Sequence, residues 1–271
     1  MSTSAVRAEG RREAPLDAWR ERAWVAAAGL PWAALALLLV GRLKVGRHWR
    51  TGDTRKLFHV LIFGGAALVQ WRAGFGGTLA YGCAVSAVIA VVVVRGTWGP
   101  PLASPGYEAL ARESDAPHRT WYVVVPWFAT ALGGVLANLL FPQHATFGYL
   151  AVGLADAVGE PVGIRFGRHR YRVPLPAKVA ATRSLEGSAA VFVASGLAGA
   201  IALRLSGAPP FHEMMLDGTM LEGATLLRLS LFAAACTLVE AAAPHGWDNF
   251  VLQVAASAAA MGLFLGAATH G

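Results

Sequence analysis

Long apolar runs recur along the whole chain, and the short segments between them hold most of the charged residues. Each run approaches or reaches the ~20 residues that an α-helix needs to cross a bilayer. The pattern predicts an all-α, polytopic bundle of seven or eight transmembrane helices. The second and fifth runs carry polar residues, which is why seven spans remain an alternative. The eight predicted spans are 23–41, 57–71, 76–94, 121–141, 145–164, 187–204, 225–243 and 250–269.

The composition also favours a membrane protein. The chain has 271 residues, of which 55% are hydrophobic and 14% charged, and its mean hydropathy is +0.49. A soluble domain is typically about 25% charged. No separate soluble domain is apparent, so residues 23–271 are predicted to form a single integral membrane domain.

Residues 1–22 carry charges of both signs and are predicted to be a disordered tail. They differ from a cleaved signal peptide, because the following apolar run is long and no small-residue cleavage site follows it. The first span is therefore expected to be a retained helix. The two cysteines, Cys83 and Cys236, fall within apolar spans, where we expect small core residues.

The distribution of positive charge predicts an orientation. The formal net charge is +7, and the loops after spans one, three, five and seven contain 15 of the 23 Lys and Arg residues. Cytoplasmic loops of membrane proteins are enriched in these residues. The richer side is therefore predicted to face the cytoplasm, with both termini outside, in a multi-pass protein of the cell membrane.

Three ionisable residues, Arg55, Lys56 and His59, enter the second span. Basic residues are common at a cytoplasmic interface, but His59 lies about one turn inside the apolar run. Its position four residues after Arg55 places both on one helix face. Ionisable residues within transmembrane segments are costly and usually functional, so these residues are candidates for a site.

Asp156 and Glu160 lie within the fifth span. Their spacing of four residues directs both carboxylates to one side of a helix, an arrangement suited to a divalent cation. Pro161 and the neighbouring glycines make this helix easy to break. Such breaks occur at membrane depth where the backbone lines a polar cavity.

A basic segment leads into the sixth span and ends in the pattern of a helix N-terminus. Free amides and the positive end of a helix dipole favour a phosphate, and an arginine can bind two of its oxygens. An acid in the same place would repel phosphate unless a cation lay between them, as in a magnesium–nucleotide site. The candidate residues are Lys178, Arg183, Ser184, Glu186, Gly187 and Ser188.

A short turn after the seventh span adds Asp248 and Asn249, and the span itself ends at Glu240. Turn chemistry alone explains such residues, but the predicted topology brings all four polar stretches to the cytoplasmic face. No nucleotide-binding P-loop is present, and no module for nucleic acid is apparent. The acidic and histidine residues of 209–222 are expected to form a solvated loop.

Together these motifs resemble those of the polyprenol kinase family of membrane proteins, which includes dolichol kinase, phytol kinase and CTP-dependent diacylglycerol kinase. The resemblance covers roughly residues 50–260 and is most specific over 156–192. Arg183 stands where the family has Lys, which keeps the charge but not the compact ammonium; Gly52 stands where the family has an acid. The matching residues are Arg55, Lys56 and His59 (R-K-x-x-H); Asp156, Ala157, Gly163 and Gly167 (D-A-x-x-x-x-x-G-x-x-x-G); Ser184, Glu186, Gly187 and Ser188 (K-S-x-E-G-S); and Glu240, Gly246, Asp248 and Asn249 (a late acid with G-x-D-N).

The resemblance implies transfer of the terminal phosphate of CTP to the hydroxyl of a long-chain isoprenoid or other lipid alcohol, with Mg²⁺ or another divalent cation. Asp156 and Glu186 would hold the cation, with Glu160 as a helper, and His59 would orient the alcohol. The basic residues and the amides near Ser184 would bind phosphate, and Asp248 with Asn249 would complete the cavity. Two alternatives stay open: a CDP-lipid synthase similar to phosphatidate cytidylyltransferases, and a non-catalytic membrane transporter or scaffold.

Overall fold

The computed structural model describes residues 15–98, 104–173, 182–207, 221–244 and 246–264. Within these ranges nine α-helices pack into a bundle, and two three-residue strands, β1 (Arg170–Arg172) and β2 (Thr182–Ser184), pair antiparallel. The helices are α1 (Pro15–Gly46), α2 (Thr51–Trp98), α3 (Pro105–Leu110), α4 (Trp121–Leu140), α5 (Ala145–Ala151), α6 (Ala157–Phe166), α7 (Leu185–Leu205), α8 (Leu221–Ala242) and α9 (Asp248–Phe264).

The predicted fold class, an all-α membrane helix bundle, is confirmed. In the described part of the chain, five helices are long and apolar enough to cross a membrane (α1, α2, α4, α7 and α8), and α9 is a shorter apolar helix. Large apolar side chains such as Trp98 and Val193 are 88% and 70% exposed on the bundle. Such exposure suits contact with lipid rather than water.

The first helix begins earlier than the sequence indicated. α1 starts at Pro15, so the prediction of disorder is wrong for residues 15–22; residues 1–14 lie outside the described ranges. Proline fits the first turn of a helix. Arg22 lies over the ring of Trp19 at 5.7 Å and its guanidinium packs beside Gly76 of α2. The charged N-terminal part of α1 therefore packs against α2.

Helix α2 is a hairpin rather than one long rod. Gly74 has φ 59° and ψ −158°, a conformation that glycine adopts readily. The chain reverses there, because the hydroxyl of Tyr81 donates to the carbonyl oxygen of Ile62 at 3.0 Å. In a straight helix these two residues would be about 28 Å apart. The first arm, 51–73, and the second arm, 75–98, contain the second and third predicted spans.

The fifth predicted span is broken into three pieces, in line with its glycines and proline. It consists of α5, a π-helical turn over Val152–Asp156, and α6. Such π-helical turns are rare overall, but those that occur often lie at functional sites. An aromatic cluster anchors α5: the ring of Phe147 lies 5.8 Å from Phe232 of α8 and 5.4 Å from Phe264 of α9.

Two elements outside the predicted spans shape one end of the bundle. α3 is capped by Ser104, which accepts from the backbone N–H of Tyr107, and it buries Tyr107 and Leu110 against its neighbours. The β1–β2 pair sets Tyr171 opposite Arg183. Neither element was predicted, because such short segments carry little periodic signal.

Candidate active site

One cavity of about 650 Å³ runs into the bundle between α2, α4 and α6. Its wall is charged at one end and apolar along the rest, where Phe58, Ile62 and Leu79 contribute. Among the described residues, four cationic side chains and five carboxylates border it. The charged and polar residues at this end are Arg55, Lys56, His59, Arg112, Asp115, Asp156, Glu160, Arg183, Glu240, Asp248 and Asn249.

The contact between the first arm of α2 and the broken fifth span forms the centre of the site. Lys56 Nζ lies 2.8 Å from Asp156 Oδ2 and 3.8 Å from Glu160 Oε2. The spacing of four residues thus directs both carboxylates to one point, as the sequence predicted. Asp156 and Lys56 are both buried, and a buried charge requires a partner of this kind.

His59 is held by the π-helical turn. Its Nε2 lies 3.0 Å from the carbonyl oxygen of Val152 and 3.4 Å from Asp156 Oδ2. A carbonyl oxygen only accepts hydrogen bonds, so Nε2 carries the proton in this contact. Nδ1 is then the ring nitrogen that can accept one. The imidazole also packs against Phe63, with ring centroids 4.4 Å apart.

The loop after α3 contributes residues that sequence reasoning missed. Arg112 pairs with Glu160, and Asp115 is buried in the cavity wall. The end of α3, from which the loop starts, is tied to α2, since Thr54 donates to the carbonyl oxygen of Ala109 at 2.8 Å. In the sequence, Arg112 contributes only to the count of positive charges from which the orientation is predicted. A polar loop of mixed charge gives no signal that it folds back over a membrane site.

Ion pairing also fixes this loop from its outer side. Lys44 at the end of α1 lies 2.7 Å from Glu113, and Thr51 donates to the same carboxylate at 3.0 Å. Burial opposes ionisation of Glu113, but the hydrogen bonds from Lys44 and Thr51 outweigh it and lower the pKa to about 2. Glu113 is therefore ionised at physiological pH and pairs with Lys44 at the outer side of the loop.

The predicted helix N-terminus before the sixth span is confirmed. α7 begins at Leu185, and the side chain of Ser184 accepts from the N–H of Gly187 at 3.1 Å. Ser188 contacts the hydroxyl of Tyr171 at 2.7 Å. A smaller cavity of about 140 Å³ lies here, and its lining includes Arg183, Ser184, Gly187 and Ser188.

Arg183 connects the two cavities. It lines both, pairs with Glu240 at the end of α8, and donates to the carbonyl oxygen of Ala243 at 3.3 Å. Glu240 is buried. The predicted basic segment and the predicted late acid therefore meet in space, although they are far apart in sequence.

The glycines of the resemblance have a packing role. A Cβ on Gly187 would lie 2.8 Å from the carbonyl oxygen of Gly159, and one on Gly163 would lie 3.0 Å from Ser184 Oγ. Side chains there would push α6 away from the start of α7. Their absence lets Glu160 of α6 and Arg183, just before α7, border one site.

The remaining predicted residues have mixed placements. Asp248 and Asn249 line the large cavity, and Asn249 donates to Thr130 at 2.8 Å. Glu186 lines neither cavity, and its carboxylate lies 2.8 Å from His169 Nδ1. Lys178 lies outside the described residues.

The charged end also holds buried polar atoms for which the described residues offer no hydrogen-bond partner. Besides Nη1 of Arg183, which pairs with Glu240, they are the donors Nη1 of Arg55 and Nε of Arg112, and the acceptor Oδ2 of Asp115 when ionised. Buried polar groups are almost always satisfied. Donors and an acceptor in one cavity wall therefore point to a ligand that both accepts and donates hydrogen bonds, such as a hydroxyl group.

Asp156 and Glu160 fit a metal ion that is bound together with phosphate. The described ranges contain no group of three or more His, Cys, Asp or Glu residues that would hold a metal alone. Mg²⁺ does not require such a group, because it is usually bound by one or two carboxylates with substrate phosphates and water. Both carboxylates reach Lys56, so their oxygens can converge on one cation.

The fold and cavity define an integral membrane helix bundle with a charged site opening onto an apolar interior. Comparison of the chain with protein families, with characterised proteins and with solved structures gives no match.

Proposed function

We propose that this protein is a CTP-dependent lipid kinase that phosphorylates the hydroxyl of a long-chain isoprenoid or other lipid alcohol. The observation that carries the proposal is a cavity in which, among the described residues, four cations and five carboxylates adjoin an apolar wall. A lipid alcohol needs both environments, since its hydroxyl reacts with a charged donor while its tail stays in hydrocarbon. The choice of CTP comes from the motif resemblance.

The ion pairs support a magnesium–phosphate ligand. Each of Lys56, Arg112 and Arg183 is paired with a carboxylate. When a magnesium-bound triphosphate binds, Lys56, Arg112 and Arg183 would take its phosphate oxygens, and Asp156 and Glu160 would hold the metal. Glu240 would keep its contact with Arg183, so none of these buried charges would be left unpaired.

Asp156 and Glu160 are the residues that would hold Mg²⁺. Bound there, the ion would neutralise phosphate charge, which is most of what a phosphoryl-transfer site has to supply along with positioning. Glu186 would bind Mg²⁺, as the resemblance implies, only if its carboxylate exchanged the contact with His169 for one with the ion.

The acceptor side is assigned to Arg55, His59 and Asp115. The hydroxyl oxygen of the alcohol attacks the terminal phosphorus, the bond to the bridging oxygen breaks, and CDP leaves. His59 Nδ1 would take the hydroxyl proton, because Nε2 is engaged by Val152. Arg55 and Asp115 supply the donor and the acceptor that orient the reacting groups.

The direct test is product analysis with the purified, lipid-reconstituted protein. Terminally labelled CTP is incubated with phytol, polyprenol, diacylglycerol or phosphatidate in the presence of Mg²⁺. We expect label on an alcohol and release of CDP. Release of pyrophosphate with formation of a CDP-lipid would instead identify a cytidylyltransferase. Failure of the protein to bind any nucleotide would favour a transporter or scaffold.

A second test concerns orientation. Arg165 lies 2.9 Å from Asp53, so the basic segment and the start of α2 share one end of the bundle. In a background lacking both native cysteines, Arg50→Cys and Tyr171→Cys should be shielded from an impermeant thiol reagent in intact cells. Pro210→Cys, outside the described residues, should react. Labelling of Tyr171→Cys with protection of Arg50→Cys would contradict the proposal.

A further inference from the structure

The cavity continues well beyond its charged end, along the second arm of α2. The part of its lining on this arm extends from Phe75 to Ile89, a distance of roughly 20 Å along a helix. The lining of α4 runs alongside it, from Tyr122 to Val135. A bilayer core is ~30 Å thick, so a cavity of this depth passes its midplane.

This deep part of the cavity presents an apolar surface. The hydroxyl groups on the second arm are engaged within the protein: Thr78 donates to Gln70 at 2.8 Å, Tyr81 donates to Ile62 at 3.0 Å, and Ser86 accepts from Trp127 of α4 at 3.0 Å. A ligand therefore meets their carbon atoms and the apolar side chains between them. The charged end, in contrast, holds the buried atoms of Arg55 and Asp115 described above.

Part of the cavity wall is also exposed. Leu79, Gly82 and Cys83 of the second arm, and Ala131 of α4, line the cavity and are exposed. An opening between these two helices at this depth would face hydrocarbon rather than water, and it would let a membrane lipid enter the cavity from within the bilayer.

We infer that the space between the second arm of α2 and α4 is a binding site for a single hydrocarbon tail, and that Gly82 determines how long a tail it accepts. The inference rests on the proposed function, because the tail is that of the lipid alcohol whose hydroxyl lies at the charged end. The continuity of the two parts in one cavity is what assigns this occupant. A Cβ on Gly82 would meet no atom within 4 Å, so a larger side chain there fills the cavity without strain.

The chain supplies a matched control. Gly64, on the first arm, is also exposed and would also accept a Cβ without contact, but it does not line the cavity. Gly82→Phe should lower kcat/KM for phytol by about 10-fold or more while changing it for the shorter geraniol by less than about 3-fold. Gly64→Phe should leave both alcohols unchanged.

A second measurement uses Cys83 and does not depend on catalysis. With Cys236 replaced by Ala, phytol should slow the alkylation of Cys83 by a membrane-permeant maleimide several-fold. The rate should fall as the fraction of protein with phytol in the site rises. The control places the thiol one turn away, as Ala87→Cys in a Cys83→Ala background. Ala87 is exposed but does not line the cavity, so phytol should not protect it.

The outcomes separate this inference from the proposed function. Protection of Cys83 without phosphorylation of any alcohol would keep the tail site and overturn the kinase. Phosphorylation with equal effects of Gly82→Phe and Gly64→Phe, and without protection of Cys83, would overturn the tail site. If both phenylalanine variants fail to fold, protection of Cys83 decides alone.

Discussion

Two buried polar regions of the bundle differ in what their side chains do. At the charged end of the cavity, Lys56 and Asp156 are ionic partners that border open space. Deeper in the bundle, between α4, α5 and α9, a neutral cluster holds Asn138, Gln253 and Ser257, with Asn138 donating to the hydroxyl of Tyr149 at 3.1 Å. Asn138, Gln253 and Ser257 do not line the cavity.

The difference shows that buried polarity alone does not identify a site in a membrane protein. Neutral side chains hydrogen-bond across helices and hold them together, each contributing about 1 kcal/mol. Charged side chains are much more costly at this depth. Here they pair with one another at the cavity, and we propose that a ligand binds them there. The following experiments test whether the two regions separate in this way.

The largest effect is expected at the charged region. Asp156→Asn keeps the volume but removes a charge, so activity should fall by about 100-fold or more, equivalent to about 3 kcal/mol. The amount of inserted protein should stay near normal. Glu108→Gln is the matched control, since Glu108 pairs with Arg119 at 2.7 Å but does not line the cavity. Retention by Asp156→Asn of more than about a tenth of the activity, about 1.4 kcal/mol, would remove Asp156 from the metal site.

An intermediate effect is expected at the connection between the two cavities. Arg183→Ala leaves Glu240 without its cation, and activity should fall roughly 10- to 100-fold. Arg183→Lys should retain most activity, because a compact cation still meets phosphate and Glu240. Arg165→Ala serves as control, since its pair with Asp53 is half-exposed. Equal kcat/KM for Arg183→Ala and the unaltered protein would exclude Arg183 from the site.

The smallest effect is expected in the neutral cluster, and it should appear in stability rather than activity. Asn138→Ala removes hydrogen bonds to Tyr149 and to the carbonyl oxygen of Gly134, and should cost about 1 kcal/mol. Thermal unfolding in detergent measures this, with kcat unchanged. Leu139→Ala, next in the helix and 64% exposed, should leave the unfolding temperature nearly unaltered. If Asn138→Ala abolished turnover without loss of stability, the distinction between the two regions would be wrong.

The sequence predicted those features that depend on local spacing. The apolar runs gave the helices, and the spacing of Asp156 and Glu160 gave their common direction toward Lys56. Ser184 was expected near a helix N-terminus and caps α7. Each of these follows from helix geometry, which a few neighbouring residues determine.

Features that depend on distant contacts were missed. Arg112 reaches Glu160 across 48 positions, and nothing near Arg112 in the chain indicates that meeting. Glu186 illustrates the converse. Its closeness to Ser184 in sequence suggested a shared role, but its side chain contacts His169, 17 positions away, and the local pattern does not specify this contact.

The reversal at Gly74 bears on how the protein is assembled in the membrane. Both ends of the α2 hairpin emerge at the same face, so the hairpin crosses the membrane either twice or not at all. If it failed to insert, the segments that follow would therefore keep their orientation in the membrane. Arg72, over the ring of Trp71 at 5.2 Å, lies beside the turn and has to traverse the hydrocarbon. An arginine at the bilayer centre costs about 2.5–3.5 kcal/mol on insertion scales. A hairpin left behind would deprive the cavity of Lys56 and His59 together.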